Sequence, residues 1–390
     1  MQPDGKLIYL DYQSTTHLDP RVEAAMTPYG QQYFGNSHSV NHAFGWMADE
    51  AVKEARTQIA ACVGAKSAEI IFTSGATEAN NLAIQGLAKS YAGKKNHIIT
   101  LQTEHSCVLG ACKALEDQGF EVTYLPVKSD GLVDLDVLAA AITEQTFLIS
   151  IMMVNNEIGV IQPIAEIGKL AAEKSIFFHC DGAQAVGKIP VDVMAMGIHL
   201  LSLSGHKMYG PKGIGALYVR ESSPRVPLQP LFYGGGQEKG LRAGTLPTAL
   251  CVGLGKACVI SQQDQSTETQ RITDLSQLFW TLFEGTVPNA KINGSITKRW
   301  VGNLNIQVPG VTADSLLPKL GTVAISAGSA CSTGSDGSSH VLQALGLTDI
   351  QALSSFRIGF GRTTTEQDVR SAVFALVKAV ESSQISRKAG

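Results

Sequence analysis

Charge is scarce in this chain. Only 17% of its 390 residues are charged and the formal net charge is −3, so it carries no electrostatic footprint for nucleic acid. No basic run with interleaved aromatics occurs. No apolar stretch approaches the roughly 20 residues that a membrane-spanning helix needs. The N-terminus passes from Met1 straight into Leu7-Ile8-Tyr9-Leu10, without a charged-then-apolar signal pattern or an Arg/Ser-rich transit peptide. The seven cysteines (Cys62, Cys107, Cys112, Cys180, Cys251, Cys258 and Cys331) include no C-x-x-C pair, so neither a zinc site nor a disulfide framework follows. Reduced cysteines in a cytoplasmic protein are the simplest expectation.

What is present is a chain with 44% apolar residues and enough length for two domains. Strand-like runs alternate with helix-like segments through roughly the first two-thirds, which predicts an α/β layer with a largely parallel sheet. Strands are expected at 69–73, 97–100, 121–125, 147–154, 175–180, 199–204 and 213–219. Between them, helices are expected at 77–89, 107–118 and 164–174. A connecting helix over 249–262 leads to a smaller α+β domain with strands near 302–308, 323–325 and 355–360. The first dozen residues are expected to pack there too, so the predicted division is 13–260 against 1–12 with 261–390.

Three strand ends carry chemistry. Lys207 follows the apolar run His199–Ser204, and a rigidly held lysine amine can condense with an aldehyde, the device of pyridoxal phosphate (PLP) enzymes. Beside this stands the plainer reading of a surface lysine in a loop. Asp181 closes Phe177-Phe178-His179-Cys180. A buried carboxylate there wants a charged partner, such as a protonated pyridine nitrogen, or else it caps the next segment. In Ser74-Gly75-Ala76-Thr77-Glu78, small residues let the backbone approach an anion, which the helix N-terminus and the Thr77 hydroxyl would hold; ordinary capping is the rival. No Walker-type Gly-Lys-Ser/Thr follows, so a nucleotide is not implied. Gln184 and Asn155 are candidates for a ring hydroxyl, with turn chemistry as the alternative for Asn155. His105 is suited to stacking on a ring or shuttling protons, or is structural.

Taken together these segments resemble the cysteine desulfurases of the NifS and IscS kind, fold-type-I PLP enzymes of the class-V aminotransferase type. The resemblance runs colinearly from Asp11-Tyr12-Gln13-Ser14-Thr15-Thr16 and the run Phe34–Gly45 through Thr103-Glu104-His105 and Asn155–Gly159. It continues through Asp181–Gln184, Ser204-Gly205-His206-Lys207, Gly234–Glu238 and Arg242–Thr245 to Gly328-Ser329-Ala330-Cys331. It implies that Lys207 is the Schiff-base lysine, Asp181 the pyridinium partner and His105 the stacking acid/base, with Gln184 and Asn155 at the ring hydroxyl. Ala76, Thr77, Ser204 and His206 would hold the phosphate, joined by Thr245 from the neighbouring subunit of a homodimer. Arg357 would clamp the L-cysteine carboxylate, with Asn155 and Asn36 also at the substrate; the alternation Phe356, Ile358, Phe360 puts Arg357 on the opposite face of its strand.

The loop at about 326–339 is rich in small polar residues and carries Cys331, an expected nucleophile that takes sulfur as a persulfide and passes it to an acceptor protein, possibly an iron–sulfur scaffold. Where housekeeping members have a Leu-Glu-Pro element after this cysteine, the chain reads Ser335-Asp336-Gly337, and it ends at Gly390 without the longer tail of the IscS type. Desulfurase chemistry is therefore a firmer expectation than delivery to that scaffold. Selenocysteine lyase shares the fold, and a non-catalytic sulfur-relay scaffold is the alternative of another class. No metal, nucleic acid or membrane is expected.

Overall fold

The computed structural model describes residues 6–327 and 338–388. Its strands are β1 (Ile8–Tyr9), β2 (Ile70–Thr73), β3 (His97–Leu101), β4 (Glu121–Leu125), β5 (Thr146–Ser150), β6 (Phe177–Asp181), β7 (Leu200–Ser204) and β8 (Gly215–Val219), then β9 (Lys291–Ile292), β10 (Asn303–Gln307), β11 (Val323–Ala324), β12 (Ser326–Ala327) and β13 (Ser355–Gly359). The main sheet has the order β2-β8-β7-β6-β5-β3-β4. Pairing is parallel from β7 to β4, and β8 lies antiparallel between β2 and β7. The expected mainly parallel α/β sheet is therefore present.

Alternating side chains feed two cores, one on each face. Ile70, Phe72, Ile99, Ile149, Phe178 and Leu201 face one, while Ile71, Ile98, Leu148, Phe177, Leu200 and Leu217 face the other with Leu82 and Leu87 of the helix Ala76–Tyr91. Each of these fully buried side chains contributes roughly 1.5–3 kcal/mol of burial energy. The expected break after 262 is overturned: one helix runs Thr248–Thr286. Its middle, Gln262–Gln270, shows no apolar period because it is largely solvent-facing, and the period resumes at Ile272, Leu275, Phe279 and Phe283. There Phe279 meets Phe360 edge-on at 5.6 Å and Phe283 meets Phe356 at 6.2 Å, seating the helix on the second sheet, β12-β13-β10-β9. Near the N-terminus, β1 pairs with β11, and Asp11 bridges Gly359.

Polar groups inside the main sheet are satisfied across strands. His179 on β6 sits between Ser150 Oγ at 2.8 Å and Ser202 Oγ at 3.0 Å, and His97 on β3 contacts Thr146 Oγ1 at 2.7 Å. Burial makes charging these rings unfavourable: His179 is pushed down to about 3, His199 to about 4, and His97 is also lowered. Unfolding returns each ring to the ordinary value near 6.5, so the unfolded chain binds more protons below that pH. The midpoint of thermal unfolding is expected to be highest above about pH 6.5 and to fall progressively as the pH drops from there toward 4; a flat profile between pH 7.5 and 5 would contradict the buried neutral histidines.

Candidate active site

Because β2, β5, β6 and β7 all point the same way, their carboxyl ends open on one side of the sheet, where ligands of open α/β sheets bind. A cavity of about 480 Å³ lies there. Ala76, Thr77, His105, Asp181, Gln184, Ser204, His206, Lys207 and Arg357 all line it. Nine residues read from several segments thus meet around one cavity.

Asp181 is 5% exposed at the end of β6. Its Oδ2 accepts from Asn80 Nδ2 at 2.7 Å and its Oδ1 from the Ala183 N–H at 2.9 Å. Both donors are neutral N–H groups, so neither supplies the opposite charge that a buried carboxyl group calls for. Burial pushes the carboxyl of neighbouring Glu104 well above the usual range, and its Oε1 accepts from the Met152 N–H at 2.8 Å.

Lys207 ends the short 3₁₀ turn Gly205–Lys207 that follows β7. Its Nζ donates to the main-chain oxygens of Gln13 at 2.6 Å and Ser14 at 2.8 Å. These contacts fix the amine against the N-terminal segment. His206 Nδ1 lies 3.1 Å from Thr15 Oγ1. Burial, reinforced by Lys207, Lys212 and Lys188, holds this imidazole down at about 4 and therefore neutral.

The helix Ala76–Tyr91 begins without a side-chain cap, after Gly75 in a positive-φ conformation (152°). A Cβ at Gly75 would come within 3.8 Å of Ser204 Oγ, so this N-terminus and the end of β7 face one small space. Nearby, burial alone would raise the Glu78 carboxyl, but Arg242 at 2.8 Å and Ser74 hold it below its usual range, which offsets its charge at the helix start. Uncapped N–H groups beside Ser204 form an anion cradle.

Arg357 is 2% exposed on β13, opposite the core-facing Phe356 and Ile358 as the alternation predicts. It donates to Asn156 O at 2.9 Å, Asp11 Oδ1 at 2.8 Å and Ser14 Oγ at 2.6 Å, and its Nε has no hydrogen-bond partner among the described residues. His105 caps the helix Ser106–Glu116: Nδ1 accepts from the Cys107 N–H at 3.2 Å, which puts the proton of the neutral ring on Nε2. His105 thus caps its helix while also lining the cavity.

Some expected residues stand elsewhere. Asn155 is 1% exposed and committed to its turn: Nδ2 donates to Thr103 O at 2.9 Å, and Oδ1 accepts from the N–H groups of Glu157 at 2.8 Å and Ile158 at 3.0 Å. Asn156, not Asn155, lines the cavity. Asn36 and Thr245 are exposed and off this wall. Cys331 lies outside the described residues. Among the described cysteines, burial raises the thiols of Cys112 and Cys251 to about 12 and that of Cys180 well above its ordinary value. Cys107 lines the cavity, 3.0 Å from His105 Nδ1. Sequence reading missed Asn80, Lys212 and Gln13. Asn80 lies one helical turn after Ala76, a spacing that signals the shared face. Lys212 lines the cavity from the glycine-punctuated turn after Lys207. No cluster of three or more His, Cys, Asp or Glu among the described residues is arranged to hold a metal ion, and no described helix is long and apolar enough to cross a membrane.

A Cβ on Gly215 of β8 would fall 2.4 Å from Leu203 O and 2.7 Å from Gly75 Cα, so glycine there lets the helix-start turn sit against the sheet. Gly215→Ala is expected to cost roughly 1–3 kcal/mol in a urea titration. Gly110→Ala, in an exposed helix position with nothing within 4 Å, should instead gain up to about 1 kcal/mol. Equal midpoints for the two variants would contradict the close approach.

The family model for aminotransferase class-V matches residues 8–371. A protein named cysteine desulfurase IscS from Rickettsia bellii is 54% identical over 366 residues, covering 94% of this chain and 89% of that protein. Its namesake from Rickettsia rickettsii is 52% identical over 374 residues, covering 96% and 91%. Among solved structures, a NifS-like protein superposes with a TM-score of 0.90 at 32% identity, covering 96% of this chain and 99% of that one. A structure described as SspA in complex with cysteine gives a TM-score of 0.80 at 41% identity, covering 90% and 98%.

Proposed function

Because the chain belongs to the aminotransferase class-V family, we propose that it is a PLP-dependent cysteine desulfurase, converting L-cysteine to L-alanine and passing the sulfur onward. The observation that carries this reading is the meeting of the Lys207 amine and the Asp181 carboxylate in one cavity beside an uncapped helix start.

The cavity fits the cofactor by its own chemistry. A buried carboxylate with neutral donors suits a cationic ring nitrogen, and the Gly75 turn with Ser204 suits a phosphate. Lys207 would hold the aldehyde carbon, Asp181 the ring nitrogen, and Ala76, Thr77, Ser204 and His206 the phosphate, with Thr245 reaching it from a second subunit. Gln184 is the candidate for the ring hydroxyl. When bound, PLP supplies an electron sink next to the substrate Cα, which weakens its C–H bond and then the C–S bond.

The chain's own groups do the rest. The Arg357 guanidinium, fixed by Asp11, Ser14 and Asn156 and with its Nε without a partner among the described residues, is the candidate to bind the substrate carboxylate. The Lys207 amine takes the Cα proton, and His105, which lines the cavity, is the candidate to exchange protons there. The Cys331 thiolate attacks the substrate sulfur: an S–S bond forms, the C–S bond breaks, and the three-carbon remainder takes up protons to leave as alanine. The persulfide then goes to an acceptor protein, with iron–sulfur cluster assembly as the proposed pathway. We place the enzyme in the cytoplasm and read it as a homodimer; the exposed Phe34, Phe44 and Trp46 near Asn36 support a covered surface there. A division into 13–260 and 1–12 with 261–390 is supported by the pairing of β1 with β11.

The test is incubation with L-cysteine and a reductant, measuring alanine and sulfide. Cys331→Ala is expected to lose at least about 100-fold in alanine formation, while Cys107→Ala stays within roughly threefold of wild type. With selenocysteine, whose selenium departs without a thiol, Cys331→Ala is expected to keep most of its activity. Equal loss on both substrates would contradict direct attack by Cys331, and loss in Cys107→Ala alone would move the nucleophile to the cavity wall.

A further inference from the structure

Lys188 lies behind the cavity rather than on its wall, at the end of the turn that follows Asp181. Its stem is half-buried, and its Nζ donates to Gln184 Oε1 at 2.6 Å. Gln184 is itself buried, and its Nε2 donates to the main-chain oxygen of Gln13 at 2.8 Å. That same oxygen accepts from Lys207 Nζ at 2.6 Å. A continuous relay therefore joins two lysine amines through one amide and one carbonyl. In its charged form Lys188 decides the direction of this relay: an ammonium only donates, so the Gln184 oxygen faces it and the amide NH₂ faces Gln13. Without that donor the amide is free to reverse, and its oxygen would then confront the Gln13 carbonyl.

The surroundings oppose a charge on Lys188. Burial is the main cause, Lys207 and Arg357 add repulsion, Glu268 partly offsets it, and the ammonium is pushed down to about 7. The neutral His206 also feels it, and the phenols of Tyr12 and Tyr209 share the small cavity that Lys188 lines. Keeping a lysine here is unfavourable for stability, which makes a role toward the neighbouring site worth testing.

We propose that Lys188 is a positioning residue for the desulfurase reaction: through Gln184 it orients the carbonyl that holds Lys207, and its charge lowers the proton affinity at the Lys207 nitrogen. This rests on the reading of Lys207 as the amine that holds the cofactor.

The experiment compares purified holoenzymes of wild type, Lys188→Met and Lys188→Arg. The readouts are the pH midpoint of the cofactor's visible absorbance band, followed by kcat and KM for L-cysteine. Removing a nearby cation raises the proton affinity of a cationic nitrogen, so Lys188→Met is expected to move the midpoint up by roughly half a pH unit or more. Its kcat is expected to fall roughly tenfold with KM within about twofold, the pattern of lost alignment rather than lost binding. Lys188→Arg keeps a donor and a permanent charge, so its midpoint should stay at or below that of wild type. Should Lys188→Met not fold, Lys188→Gln replaces it with the same expected shift. A neutral variant with an unshifted midpoint, or an arginine variant shifted as far upward as it, overturns the inference. Absence of any visible band in wild type reconstituted with PLP would instead overturn the cofactor reading, and the inference with it.

Discussion

A single buried carboxylate organises the site. Asp181 ends a strand whose other residues are fully or almost fully enclosed, so its carboxyl group, itself 5% exposed, calls for partners from the protein or from what the protein binds. Two neutral donors, Asn80 and Ala183, hold its oxygens. Burial also pushes the carboxyl of Glu104 well above the usual range. Cationic and donor groups are then gathered on the remaining walls: Lys207, Lys212, Arg357 and an uncapped helix start. Such a cavity favours a ligand with a positive end and a negative end in fixed relation.

The second constraint is mechanical. The segment Gln13–Thr16 straps across the carboxyl ends of the strands, and nearly every active group leans on it. Lys207 donates to two of its carbonyls, His206 meets Thr15, Arg357 meets Ser14, and Gln184 donates to Gln13. The strap is itself tied to the second sheet, since Asp11 bridges Gly359 and Gln13 Nε2 donates to Gly302 O at 2.8 Å. Relative movement of the two sheets would therefore be felt at the Lys207 amine.

Much of this was legible in the residues. Apolar runs marked the central strands to within a few positions, because buried strands must be continuously apolar. Lys207 and Asp181 stood out as polar residues closing such runs. Cross-chain ties were not legible: nothing local in Gln13 or Ser14 announces that their carbonyls hold a lysine almost 200 positions away. Asn155 could be read either way from the sequence, and its side-chain oxygen accepts from the turn that its own neighbours build. The helix Thr248–Thr286 was underestimated because its exposed middle carries no apolar rhythm, and only the packing of Phe279 and Phe283 reveals its continuation. Lys188 reads as an ordinary lysine beside a proline-bounded turn until its distance to Gln184 is known.

Covalent capture at one nitrogen tests the account most directly. Protein reconstituted with PLP, reduced with borohydride and digested should yield one peptide, containing Lys207, that has gained the mass of the reduced cofactor. Modification spread over several surface lysines, or confined to a peptide that lacks Lys207, would contradict the assignment on which the proposed chemistry rests.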